Sequence, residues 1–194
     1  MKLTIVNEGE EKENTLYFTI KDISPNLANL IRRYLMTELE TFAFDKVIIY
    51  ENTSTLFDEY IAHRIGLLPL RVKGPTVPED VFVFNLDVQG PKKVYSSDLK
   101  PIDKEIELVF DNILLLVLAE NQNLRLEAKA TSNKGRKHAK WQAGLASYEI
   151  ENENTFKFFV ESFGQIPPKK MLLKTFELIS KNSEDLVEEL NKLD

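Results

Sequence analysis

Cysteine is absent from the 194 residues, which excludes disulfides, thiolate zinc sites, iron–sulfur ligation and a cysteine nucleophile together. Histidine occurs twice, at His63 and His138, far apart and outside any zinc-like spacing. There is neither a glycine loop of the kind that cradles phosphate nor a glycine-flanked serine elbow. The expectation is therefore no metal and no cofactor. No apolar run approaches the roughly 18 residues that a spanning helix needs. The opening MKLTIVNEGEEKEN turns acidic before a signal-peptide core could form, so a cytoplasmic location is the default expectation. An excess of basic charge is lacking too: 25 Lys and Arg stand against 31 Asp and Glu, so any nucleic-acid binding has to be local.

What is present is ordinary soluble material, 43% hydrophobic and 29% charged, enough for one domain or two small ones. Leu3 to Val6 reads as a first strand. Asn14 to Asp22 alternates Leu16, Phe18 and Ile20 with Tyr17, Thr19 and Lys21, the period of a half-buried strand, with a Glu-rich hairpin loop between the two. Ser24 as N-cap and Pro25 at the first helical position start a helix that runs to about Leu39. At 100° per residue Leu27, Leu30, Ile31, Tyr34, Leu35 and Glu38 share one arc, and Asn29, Arg32, Arg33 and Met36 lie opposite. The second arc has no evident use inside the chain.

The middle is rich in strands and turns. Val47 to Tyr50 is a compact β run, Thr55 to Ile65 reads as a helix with Gly66 as its C-cap, and Leu67 to Val72 is extended around Pro69. Breaks at Gly74, Pro75 and Pro78 precede strands at Val81 to Val88, Ile106 to Val109, Leu114 to Leu118 and Leu124 to Ala130. Periodicity alone leaves Ile113 to Ala119 open to a buried helical turn. After a loop at Ser132 to Gly144, strands return at Ser147 to Glu151 and Thr155 to Ser162. Pro167 and Pro168 open the longest helix. Its Leu172, Phe176, Ile179, Leu186, Leu190 and Leu193 follow a four-three spacing with Ser183 in the one gap, a seam of about three heptads. A break at Asn182 and Ser183, both good N-caps, is the alternative.

Six large side chains on that seam represent about 10 kcal/mol of gross burial at roughly 1.5–3 kcal/mol each. The seam packs either on the chain's own sheet or on another chain. The two ends look alike and the middle differs, which suggests a discontinuous first domain, residues 1–44 and 152–194, carrying a β-rich insert at 45–151. The fold class is α+β.

Three functional classes compete. The segment 133–141 (NKGRKHAKW) gathers four basic residues, His138 and the single tryptophan, Trp141. Charge beside an aromatic plane suits single-stranded nucleic acid, although one short loop neutralises few phosphates and also suits an acidic protein surface. An enzyme would have to rest on scattered carboxylates, such as Asp58 and Glu59 near His63, with no organising motif. The third class is a subunit that works by pairing.

Specific strings favour the third. PNLANLIRR from Pro25, DKVIIYENTS from Asp45, AHRIGLLPL from Ala62, VYSSDL from Val94 and GRKHAKW from Gly135 occur in the order of the RNA polymerase family that contains bacterial alpha, archaeal D and the third-largest subunit of eukaryotic polymerase II. The chain resembles that family over nearly its whole length, and its archaeal branch most. The resemblance implies a dimerisation domain built from both chain ends and a β-rich insert. It implies pairing with the small L subunit, with Leu30, Tyr34, Leu172, Phe176, Ile179, Leu186 and Leu190 at the contact. Asn29, Arg32 and Arg33 would face the large B subunit, and the small N and P subunits would join the platform. His63, Arg64 and Gly66 resemble the family's structural turn, and His138, Lys140 and Trp141 a subunit-contact loop. Two departures stand out. Tyr148 leads almost directly into Asn154, so the ferredoxin-like iron–sulfur domain of many archaeal members is missing. The proline usual after the tryptophan is replaced by Gln142, Ala143 and Gly144.

Overall fold

The computed structural model describes residues 1–5, 14–75, 77 and 79–192. In chain order these form β1 (Lys2–Ile5), β2 (Thr15–Lys21), α1 (Pro25–Thr37), β3 (Glu40–Asn52), α2 (Asp58–Gly66), β4 (Leu70–Val72), β5 (Val81–Gln89) and β6 (Lys92–Tyr95). They continue with β7 (Lys100–Pro101), β8 (Ile106–Leu108), β9 (Leu114–Leu118), β10 (Asn123–Lys134), β11 (Gly144–Asn152), β12 (Thr155–Ser162) and α3 (Pro168–Asn191). Short 3₁₀ turns occupy Ser96–Asp98 and Ala139–Trp141. Val6, the acidic hairpin loop, Pro78 and Leu193 lie outside the described residues. The class is mixed α+β, and the pairings described below are antiparallel.

Two compact units divide the chain. One takes in Met1–Leu39, Lys134–Arg136 and Gln142–Asp194; the other takes in Glu40–Asn133 and Lys137–Trp141.

The first unit is a four-stranded sheet in the order β1-β2-β12-β11. Phe18 and Ile20 on β2 stand opposite Phe158 and Phe156 on β12. The Phe18 and Phe158 rings stack at 4.8 Å and 3°, and Tyr148 on β11 meets Phe156 edge-on at 5.5 Å. Burial of each such side chain contributes about 1.5–3 kcal/mol. β11 was expected in the middle segment. It is a strand of this sheet instead, because Gly144–Ile150 pairs residue by residue with Phe156–Ser162.

Two helices cover the aromatic face. Ser24 Oγ accepts from Leu27 N at 3.3 Å with Pro25 following, as the start signal predicts. Ala28, Ile31 and Leu35 on α1 are buried. Met36, assigned above to the polar arc, packs against this core, while Leu30 is exposed. α1 ends at Thr37, where the Thr37 hydroxyl donates to Arg33 O at 2.9 Å. α3 runs unbroken through Ser183, whose hydroxyl donates back to Ile179 O at 2.8 Å instead of capping a new helix.

The second unit holds a sheet in the order β3-β10-β5-β7 and two ribbons, β4-β8 and β6-β9. Leu124, Leu126, Ala128 and Ala130 on β10 oppose Val88, Leu86, Phe84 and Phe82 on β5. Phe42 and Phe44 from β3 meet Phe82 and Phe84 edge-on at 5.2 and 4.9 Å. Leu114–Leu118 is a strand because β6 pairs with it, which removes the helical-turn alternative.

α2 begins at Asp58, three residues later than expected. Asn52 holds the preceding turn: its Oδ1 accepts from Ser54 N at 3.0 Å and Ser54 Oγ at 2.6 Å, and its Nδ2 donates to Leu56 O at 2.9 Å. Gly66 is the last helical residue and not the C-cap, which is Leu67. A Cβ at Gly66 would meet only Phe44 O at 3.8 Å, an ordinary contact, so the position does not demand glycine.

Candidate functional site

Among the described residues no group of three or more His, Cys, Asp or Glu side chains is placed to hold a metal ion. Among the described residues one carboxyl departs from its ordinary behaviour. Burial alone would raise the Asp98 pKa, but Lys92 Nζ at 2.7 Å, Tyr95 N–H at 2.8 Å and the charges of Lys92 and Lys100 together hold it below the usual value. These contacts close the Ser96–Asp98 turn, a structural role.

In the first unit the candidate contact surface lies on the two helices and on β1. On α1, Asn29 Oδ1 accepts from Arg32 Nε at 3.3 Å and from the Arg32 terminal nitrogen at 2.9 Å, which pins that guanidinium. Arg33 is exposed one residue further on. Tyr34 is half-buried, and its hydroxyl accepts from Asn182 Nδ2 of α3 at 3.1 Å.

The apolar seam of α3 divides. Leu172 is only 6% exposed and sits with Met171 in the core, which removes it from the surface expected for a partner. Phe176 and Ile179 are half-buried against the same core. Leu186 and Leu190 are 62% and 55% exposed. On β1, Leu3 and Ile5 stand opposite Ile20 and Phe18, so they share the face of the sheet that the helices cover. They are nevertheless 39% and 44% exposed. The sequence reading missed this pair, whose signal is the apolar alternation inside KLTI.

In the second unit the expected contact loop is largely occupied. Trp141 is 2% exposed; its Nε1 donates to Thr131 O at 2.9 Å, and its carbonyl accepts from Thr41 Oγ1 at 2.7 Å. Lys140 Nζ pairs with Asp45 Oδ1 at 2.8 Å and lies 4.3 Å from the indole centre. Only His138 of the three is exposed, with Nδ1 accepting from Lys140 N at 3.1 Å. A buried indole offers no plane for a base, so the nucleic-acid reading loses its aromatic component.

His63 and Arg64 occupy the last turn of α2, where cations complement the helix dipole. His63 is exposed, and an Arg64 terminal nitrogen donates to Leu114 O on β9. The Arg64 guanidinium stands 6.0 Å from the Tyr60 ring. With Gly66 they form a helix end and not a separate turn.

An α+β chain in which a β-rich unit interrupts a sheet-and-helix unit is the class that these observations define. Residues 47–150 match the family model described as RNA polymerase Rpb3/RpoA insert domain, a match that continues past the second unit into β11. A relative from Methanocaldococcus jannaschii, named DNA-directed RNA polymerase subunit Rpo3, is 37% identical over 87% of this chain and 87% of its own length. Rpo3 proteins of Pyrococcus furiosus and Archaeoglobus fulgidus are each 40% identical over 72% and 73% of this chain. Of those two relatives' own lengths only 56% and 59% are spanned. The chain belongs to the RNA polymerase Rpb3/RpoA family, within which these archaeal Rpo3 proteins are its relatives.

Proposed function

We propose that this chain is a non-catalytic assembly-platform subunit of a cytoplasmic DNA-directed RNA polymerase. It pairs with the small L subunit through the first unit, and the pair recruits the large B subunit and the small N and P subunits. Nucleotidyl transfer belongs to the assembled enzyme; this chain supplies neither a cofactor nor a sequence-specific DNA contact. The observation that carries the reading is the apolar stripe of α3, which outruns its own core and leaves Leu186 and Leu190 uncovered. Monomers seldom leave such a stripe in water. Leu30, Tyr34, Phe176 and Ile179, with Leu3 and Ile5 on β1, are the further surface offered to L.

Asn29, Arg32 and Arg33 face the large B subunit in this reading. The Asn29–Arg32 bonds hold one guanidinium in a fixed orientation, which suits it to a carboxylate or to backbone carbonyls. His138 and the exposed end of α2 are available to other subunits. No helix among the described residues is long and apolar enough to cross a membrane.

Reconstitution tests the reading. Wild-type chain co-purifies with L and then with B, whereas Arg32→Glu with Arg33→Glu retains L and loses B. Failure of the wild type to retain L overturns the pairing. Normal recovery of B by the double variant overturns the assignment of that face.

A further inference from the structure

From Ser180 to Lys192 every residue is exposed. That stretch spans about 18 Å at 1.5 Å per residue, and a free helix of this length is marginal in water. At 100° per residue, Leu186 and Leu190 continue the stripe of Leu172, Thr175 and Ile179, so the face that is core in the first half of α3 is bare in the second. The same projection puts Val187, also exposed, on one border of the bare stripe, and Asp185 and Glu189 on the other. Glu184 and Glu188 lie on the outer side. Four of the six residues from Glu184 to Glu189 are acidic.

We infer that the occupant of this stripe is a segment of another chain whose apolar contact is rimmed by Lys or Arg where it meets Asp185 and Glu189. The inference deepens the L-pairing reading above and rests on it. Apolar contact supplies the affinity, and the charged border selects the partner and speeds its approach. A second copy of this chain is the wrong occupant. Distal half against distal half, it brings the same carboxylates into the contact, and like charges oppose association. Turned end for end, it brings Lys169 and Lys170. Those lysines, however, flank one exposed apolar side chain, Leu173, while Met171 and Leu172 are already buried in the first unit, so little apolar contact accompanies that charge pairing.

The test measures binding of the full chain to the L subunit at low and high salt. Wild-type affinity falls about tenfold between about 50 mM and 500 mM salt, as the screening length shrinks. Asp185→Lys with Glu189→Lys weakens low-salt binding by well over tenfold and inverts the salt dependence, because the like charges it creates are screened as salt rises, while circular dichroism shows α3 retained. The neutral Asp185→Asn with Glu189→Gln weakens low-salt binding about tenfold and flattens the salt dependence. Binding that is insensitive both to salt and to charge reversal overturns the inference and leaves the pairing standing. Failure of the wild type to bind L at either salt overturns both. A tight homodimer of the chain alone that Leu186→Asp dissociates gives the stripe to a second copy and overturns the inference.

Discussion

Asn182 Nδ2 donates to Tyr34 Oη at 3.1 Å, tying α3 to α1 at the level where α3 leaves the core of its unit. Before it, Met171, Leu172 and Thr175 are buried; after it, the described helix is exposed to its end. One helix therefore serves two purposes, holding its own sheet and presenting a surface, and substitutions on its two halves separate them.

Leu172→Ala removes a buried side chain and costs about 2–4 kcal/mol of stability in the isolated chain. Leu186→Asp with Leu190→Asp changes that stability by no more than about 0.5 kcal/mol, because both side chains are already in water. The same pair abolishes co-purification with L. Urea unfolding and pull-down, run on the three proteins together, check the contrast.

Gly135 lies against the last turn of α1, where an added Cβ would overlap Met36 O. The obstacle is backbone carbonyl and cannot rotate aside. Gly135→Ala should destabilise the chain by about 1–3 kcal/mol, seen as a lower urea midpoint at unchanged slope.

Asp98 sets a pH dependence of known sign. Its folded pKa is lowered, so the contribution is present above the ordinary aspartate range and is lost as pH falls through the folded value. Asp98→Asn should therefore be less stable than wild type at pH 7, by no more than about 1 kcal/mol at this half-buried, water-screened site. The gap closes on acidification. Paired urea titrations at pH 7 and at strongly acid pH read it directly, and a gap that grows with acid contradicts the account.

Much of the fold was legible where a local signal had a single reading. The Ser24–Pro25 start, the alternation of Leu16, Phe18 and Ile20, and the bounds of β12 are local in this sense. The phase of α1 was misjudged because the centre of its buried arc includes Ala28, a small residue that a hydrophobic arc overlooks, so Met36 was placed on the wrong side. The start of α2 depended on the side-chain bonds of Asn52, which claim the following residues for a turn. Trp141 could not be placed, since an aromatic in a basic loop reads the same whether it is inserted or displayed; the indole bond to Thr131 O decides it. The seam of α3 was visible as a repeat, but how far the core follows that repeat depends on sheet length, which is a tertiary property.

Amide hydrogen exchange along α3, with and without the L subunit, tests the central claim most directly. The account predicts rapid exchange over residues 183–192 in the isolated chain and strong slowing on adding L, with residues 171–176 protected throughout. Equal protection of residues 183–192 in both samples, whether high or low, would contradict it.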